Sequence, residues 1–110
     1  MAGKFELKKS ANGQFHFNLK AGNGEIILSS EMYESKDSAR NGIASVQKNC
    51  SDDARYEKKE TSTGKHYFTL KAGNHQVIGN SQMYTSAASR DAGIESVKHN
   101  GTSTDIEDNS

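Results

Sequence analysis

The chain has 110 residues, of which only 32% are hydrophobic, and fourteen basic residues balance fourteen acidic ones. This balance leaves no overall field to attract nucleic acid or an anionic membrane. No apolar run approaches the length of a membrane span, and the start turns polar too early for a signal peptide. Cys50 has no second cysteine to pair with. A cytoplasmic location and no membrane association are therefore expected.

The sequence repeats itself at an offset of 51 positions. Residues 5–51 align with residues 56–102 without a gap, and about twenty of the 47 pairs are identical. A unit of about 50 residues is marginally stable by itself, so the two copies should share one core. We predict a single domain over residues 1–110, with repeats at about 3–53 and 54–107 and a short acidic C-terminal tail.

Each repeat begins with three predicted strands. The segment of residues 14–20 alternates strictly between apolar and polar side chains, which is typical of a half-buried strand. Asn23-Gly24 then indicates a hairpin turn. His75 takes the place of Gly24 in the second copy, so the second turn is expected to differ in detail. The strands are predicted at residues 4–8, 14–20 and 25–29, and in the second copy at residues 55–59, 65–71 and 76–78.

A helix follows the strands in each repeat. Ser35 and Ser86 stand where a hydroxyl can cap the first turn, and apolar residues recur at helical spacing after them. Asn49 and Asn100 stand near the expected helix ends, where a left-handed residue is tolerated.

Two further pairs are expected to serve packing. Gly42 and Gly93 lie inside the helices, where glycine costs about 1 kcal/mol against alanine, so a close approach to the sheet or to the other helix is predicted. Met32-Tyr33 and Met83-Tyr84 precede the helices and are expected to close the ends of the core.

A short strand after the first helix is also the first strand of the second copy, and residues 105–107 follow the second helix at the same offset. This arrangement predicts one sheet with two helices on one side.

The chain resembles the YegP-like family of small bacterial proteins through Phe17-x-Leu19-Lys20-Ala21-Gly22-Asn23-Gly24-Glu25, Ser30-x-Met32-Tyr33-x-Ser35 and Gly42-Ile43-x-Ser45-Val46.

The resemblance implies an α+β fold of two tandem β-β-β-α-β repeats. They form a single antiparallel-rich sheet with two helices on one face, pseudo-twofold, with exchanged terminal strands. Single-copy relatives would reach this arrangement as homodimers. The family has no established function or catalytic residues, so the resemblance assigns none here.

Ordinary structural roles explain the reactive side chains better than chemistry does. The four histidines lack the spacing of metal ligands, and the serines lack the glycines of a nucleophile elbow. Residues 20–24 lack the helix that must follow a phosphate-binding loop. We predict no catalytic residue, no cofactor and no metal site, and therefore no enzyme. An enzyme would have to use residues that differ between the copies: His66, Tyr67, His75, His99 or Cys50.

The polar face of the sheet is the candidate binding surface. Strand alternation places a set of polar side chains opposite the core, with Glu6 and Glu57 interspersed. We predict a non-catalytic binding or interaction module with a macromolecular partner, and a monomer, because each copy has its pseudo-dimer partner inside the chain. The alternative is weak nucleic-acid binding through the same face. The candidate residues are His16, Asn18, Lys20, Tyr67, Thr69, Lys71, Lys8 and Lys59.

Overall fold

The computed structural model describes residues 3–110. Within these residues, seven strands and two helices follow one another in the order predicted, with a short 3-10 turn before the fourth strand. The elements are β1 (Lys4–Lys9), β2 (Phe15–Lys20), β3 (Ile26–Ser30), α1 (Lys36–Asn49), β4 (Tyr56–Glu60), β5 (His66–Lys71), β6 (Val77–Asn80), α2 (Ala87–Asn100) and β7 (Ile106–Asn109).

Local chemistry sets the helix ends. The Ser35 and Ser86 hydroxyls accept hydrogen bonds from backbone amides three residues on, as N-caps do. The expectation of left-handed asparagines is wrong, because both helices continue into right-handed residues after Asn49 and Asn100. Each asparagine instead donates from its side-chain amide to the carbonyl four residues earlier, at 2.8 Å. These bonds add a second donor to carbonyls of the last helical turns.

The β2–β3 and β5–β6 turns have the same backbone conformation, contrary to the expected difference. Gly24 has φ +85° and His75 has φ 68°, and each donates its amide at 2.9 Å to the carbonyl three residues earlier. The backbone of the turn is therefore kept although one residue is not a glycine.

All seven strands form one mixed sheet in the order β4-β5-β6-β3-β2-β1-β7. Each repeat supplies three antiparallel strands, and the repeats join through antiparallel pairing of β3 with β6. The chain-terminal β7 pairs with β1 in parallel, with Phe5 opposite Ile106. The fold is thus the predicted α+β arrangement of two tandem repeats.

The terminal strand covers only one of the two equivalent edges. β4 occupies the place in the second repeat that β1 holds in the first, and no strand among residues 3–110 lies beside it where β7 lies beside β1. Leu7 is fully buried under β7, whereas its counterpart Lys58 has a side chain that is 53% exposed. β4 is therefore an open edge.

One core lies between the sheet and the helices, and both repeats contribute to it. Gly42 brings α1 close to Tyr33, since a Cβ there would lie 2.5 Å from the Tyr33 hydroxyl and 2.9 Å from Phe17. The tyrosine thus packs against the core as expected. The core role expected for the methionines is wrong, because Met32 and Met83 are about half exposed.

Candidate functional site

A row of polar residues crosses the whole outer face of the sheet. Cross-strand register places Glu6 between Glu107 and Asn18, and carries the row through β3 and β6 to β5 and β4. Paired residues share a face, so all seven side chains of the row lie opposite the core. The row consists of Glu107, Glu6, Asn18, Ser29, Asn80, Thr69 and Glu57.

A glutamate sits between two lysines near each end of this row. Glu6 Oε1 lies 3.4 Å from Lys8 Nζ and 3.2 Å from Lys20 Nζ. In the second repeat Glu57 Oε1 lies 3.2 Å from the ammonium groups of both Lys59 and Lys71. Each of these Lys-Glu-Lys groups carries a formal net charge of about +1, so the carboxylates offset half of the positive charge of the predicted face.

The two glutamates differ in their surroundings. The Glu6 side chain is 9% exposed, because it lies on the strand that β7 covers, whereas the Glu57 side chain at the open edge is 45% exposed. Burial opposes ionisation of Glu6, but the hydrogen bonds and charges of Lys20 and Lys8 outweigh it and hold the Glu6 pKa below its usual value. Hydrogen bonds from Lys59 and Lys71 lower the pKa of Glu57.

The structure divides the predicted binding residues into two groups. Lys8, His16, Asn18 and Lys20 lie on β1 and β2, and Lys59, Tyr67, Thr69 and Lys71 lie on β4 and β5. β3 and β6 separate the groups, which puts β2 about 14 Å from β5 at the usual strand spacing.

Two of these residues are less accessible than the sequence suggests. Asn18 is 8% exposed and Thr69 is 1% exposed, and the Thr69 hydroxyl donates to Asn80 Oδ1 at 2.9 Å. Sequence reasoning missed Ser29 and Asn80, which fill the middle of the row. A register shift at the end of β2, and another at the end of β5, decide which residues of β3 and β6 face outward, and no local sequence pattern revealed them.

The remaining candidate side chains are dispersed. Cys50 is fully buried, its thiol pKa is raised by burial, and a Cβ on Gly101 would touch its sulfur at 2.8 Å. His66 lies on the inner side of the sheet and bridges by its backbone to Tyr84. In residues 3–110, no three His, Cys, Asp or Glu side chains are grouped so that they could hold a metal ion. Neither 14-residue helix is long and apolar enough to cross a membrane.

Two equivalent clefts lie between the helix of one repeat and the hairpin of the other. The larger, of about 510 Å³, runs beside Tyr33 and the hydroxyls of Ser38 and Ser45 on α1, and the smaller, of about 260 Å³, has the matching residues of α2. Both are lined by a mixture of polar and apolar side chains, several of which also serve packing. Their equivalence accounts for several of the residues that are identical in the two repeats.

Comparison with known proteins places the chain among uncharacterised relatives. A family model described as a domain of unknown function, DUF1508, matches residues 10–57 and 62–108. The UPF0339 protein YegP of Escherichia coli K12 is 63% identical over 109 residues, covering 99% of both chains. A UPF0339 protein of Acinetobacter baylyi is 62% identical over 108 residues, covering 98% of this chain and 97% of the relative.

Solved structures of relatives have the same fold. The solution NMR structure of the E. coli protein of unknown function yegP matches with a TM-score of 0.94 at 63% identity, covering 99% of this chain and 94% of that one. The solution NMR structure of a UPF0339 protein from Shewanella oneidensis matches with a TM-score of 0.93 at 58% identity, covering 98% and 92%. The resemblance noted from the sequence motifs is confirmed.

Proposed function

Because the chain belongs to the DUF1508 family, whose relatives have no established function, we propose from its own geometry that it is a non-catalytic interaction module. We further propose that it acts as a monomer in the cytoplasm and binds a protein partner over the outer face of the sheet. The observation that supports this proposal is the pair of matched Lys-Glu-Lys groups at the two ends of the polar row.

The alternation of charge favours a protein partner. A surface with cations and carboxylates side by side is complemented by another surface of mixed charge, and such complementarity fixes orientation and excludes wrong partners. The half-buried His16 and Tyr67 lie beside Lys8 and Lys59 on neighbouring strands. Aromatic groups of this kind provide contact area within a polar surface.

Nucleic-acid binding over the same face is the second candidate, favoured by these aromatic groups beside lysines. Its affinity would be low, because Glu6 and Glu57 each compete with phosphate for two ammonium groups. A gel-shift titration with single-stranded RNA at two salt concentrations tests it. Absence of a shift at low salt and micromolar protein excludes this candidate.

Site-specific photocrosslinking in the native cell tests the interaction module. A benzoylphenylalanine placed at His16 or Tyr67 substitutes one ring for another on the outer face. The matched control places it at Lys48, which is exposed on α1 on the other side of the molecule. We expect the same protein adduct from both outer-face positions and none from position 48.

A charge variant completes the test. Lys20→Glu together with Lys71→Glu reverses one lysine of each group, and should abolish the adduct while the protein stays folded by circular dichroism. The proposal fails if positions 16 and 67 give no protein adduct, or if the adduct also forms from position 48.

A further inference from the structure

A groove runs along the open edge of β4, at the position where β7 would lie if the second repeat matched the first. It has a volume of about 720 Å³ and lies between β4 and α2. In the first repeat the same space beside β1 is filled by β7. The lining residues are Asp53, Tyr56, Glu57, Lys58, Asp91, Ile94 and Glu95.

The backbone of this edge is prepared for a parallel strand. Phe5 donates its amide to Asp105 O at 2.9 Å where β7 begins, and its counterpart Tyr56 donates to Asp53 O in the 3-10 turn. Amides alternate in direction along a strand, so those of Lys58 and Glu60 point away from β5 and into the groove. A parallel segment entering after Asp53 would accept hydrogen bonds from both.

The groove also offers an apolar contact at its start. Ile106 on β7 lies opposite Phe5 and packs against the core. In the groove the corresponding wall is formed by Tyr56, which is partly buried, and by Ile94. An apolar side chain in the first position of an added strand would cover both.

The charges around the two edges differ, because of the three basic residues that hold β7 only Lys4 has a basic counterpart, Arg55. The acidic β7 is held by Lys4, 2.8 Å from Glu107, and by Lys36 and Arg40, 3.1 and 3.2 Å from Asp108. At the offset of 51, Lys36 corresponds to Ala87 and Arg40 to Asp91. The lining of the groove includes four carboxylates and the ammonium of Lys58, and two of the carboxylates, Asp53 and Glu95, are paired with Lys98.

We propose that the β4 edge binds an extended segment of a partner protein that adds to the sheet as a strand parallel to β4. The segment carries an apolar residue beside Tyr56 and, two residues later, a lysine or arginine that faces Asp91. This site lies at the edge of the sheet, shares only Glu57 with the outer-face row, and goes beyond the function proposed for that face.

The ion pair between Lys58 and Asp91 does not prevent a partner's lysine or arginine from binding Asp91. The Lys58 ammonium lies 3.2 Å from Asp91, and Arg90 Nε lies 3.3 Å from the same carboxylate. Lys58 and Asp91 are about half exposed, so their pair is weak and screened by water. The incoming cation takes over Asp91 and Lys58 turns to solvent. The β7 strand of a second copy is a poor occupant, because its Asp108 would face Asp91 and like charges repel.

A tethered strand gives a decisive test, because tethering raises the effective concentration to about millimolar. In each fusion protein, a flexible Gly/Ser linker of about 30 residues follows Ser110 and spans about 30 Å. In the basic fusion, the strand at the end of the linker is Thr-Ile-Gln-Lys-Asn. The matched control carries Thr-Ile-Glu-Asp-Asn, which imitates β7. We expect the Lys58 amide to exchange about tenfold more slowly in the basic fusion than in the control.

Reversing the charge at position 91 distinguishes the proposed charge recognition from nonspecific binding of a strand at the β4 edge. The Asp91→Arg substitution recreates the environment of Arg40. In this background the acidic fusion, and not the basic one, should slow exchange of the Lys58 amide. Glu34→Arg changes the net charge equally at an exposed position before α1. In this control, exchange of the Lys58 amide should still be slower in the basic fusion than in the acidic one.

Several results would overturn the proposal. It fails if neither fusion protects the Lys58 amide, if both protect it equally, or if Asp91→Arg leaves the preference unchanged. It also fails if the basic strand perturbs the outer face around Tyr67 instead of β4, or if protection depends on protein concentration because copies exchange strands. Crosslinking from positions 16 and 67 involves no β4 residue, so either proposal can fail alone.

Discussion

At the scale of the residue, the β2–β3 and β5–β6 turns share one left-handed backbone position but differ in the residue that adopts it. Both turns place their fourth residue in the left-handed region, with glycine at position 24 and histidine at position 75. A Cβ on Gly24 would meet nothing within 4 Å, so the preference for glycine here is conformational. A side chain in this region costs about 1 kcal/mol, and the second repeat bears that cost at His75.

Replacing the histidine should therefore stabilise the protein. His75→Gly is expected to raise the free energy of unfolding by about 0.5–1 kcal/mol, since the relief of backbone strain exceeds the entropy lost by glycine. Urea denaturation measures the change. The reciprocal Gly24→Ala should lower stability, and a stabilising Gly24→Ala would contradict this explanation.

The mid-helix glycine reflects a contact rather than a conformation. Gly42→Ala should lower the free energy of unfolding by about 1–3 kcal/mol despite the better helix propensity of alanine, because the new methyl group collides with Tyr33 and Phe17. Removing the nearest atom by Tyr33→Phe should reduce this penalty in a double-mutant cycle. Equal penalties in both backgrounds would show that the hydroxyl is not the obstacle.

At the scale of the element, β7 covers one edge of the sheet and leaves the other open. Equivalent side chains at the two edges therefore have different environments. Glu6 and Glu57 are identical residues with two lysine partners each, yet only Glu6 is covered. The strand beside β1 withdraws the carboxylate of the ion pair from water, while the lysines are about as exposed in the first repeat as in the second. The same charge contact therefore has a larger effect on stability in the first repeat.

Comparison of two matched variants measures this difference. Glu6→Gln should cost about 1 kcal/mol at pH 7, and Glu57→Gln should cost less because its partners are screened by water. The Glu6 pKa is lowered by folding, so its contribution is present above the unfolded pKa of about 4.5 and is lost as pH falls below it.

The pH dependence provides the check on that prediction. The stability difference between the wild type and Glu6→Gln should shrink as the pH is lowered from about 5 to about 3. Thermal unfolding followed by circular dichroism across this range measures it. A difference that grows on acidification would mean that the buried carboxyl is stabilised in its neutral form.

The two repeats depend on each other at the scale of the whole molecule. Pairing of β3 with β6 makes one sheet, and residues of both repeats form one core cluster. In addition, β7 leaves the second repeat to cover β1 in the first. Neither repeat therefore keeps its full set of contacts when it is separated from the other.

We expect a monomer that unfolds in one step. Light scattering should give the mass of one chain, 12.0 kDa, and separate fragments of residues 1–53 and 54–110 should be unfolded alone, because each exposes half of the shared core. Mixing the fragments should restore the circular dichroism of the intact protein. A stable dimer of the intact chain, or a folded single fragment, would contradict this expectation.

The sequence by itself determined the elements, because they rest on local rules. Strand alternation, the Asn-Gly turn and the serine caps each depend on a few neighbouring residues. Because the sequence repeats at an offset of 51, most of these patterns occur in both copies. These rules also placed Lys8, His16, Lys59 and Tyr67 on one face of the sheet, as the cross-strand pairs show.

Only the tertiary structure decided how the elements meet. The register shifts that bring Ser29 and Asn80 into the polar row, and the burial of Asn18 and Thr69, depend on strands far apart in the chain. The open β4 edge has a similar origin. The repeats are equivalent in sequence, but the chain supplies only one β7, which pairs with β1, so the symmetry of the sequence cannot hold at both edges of the sheet.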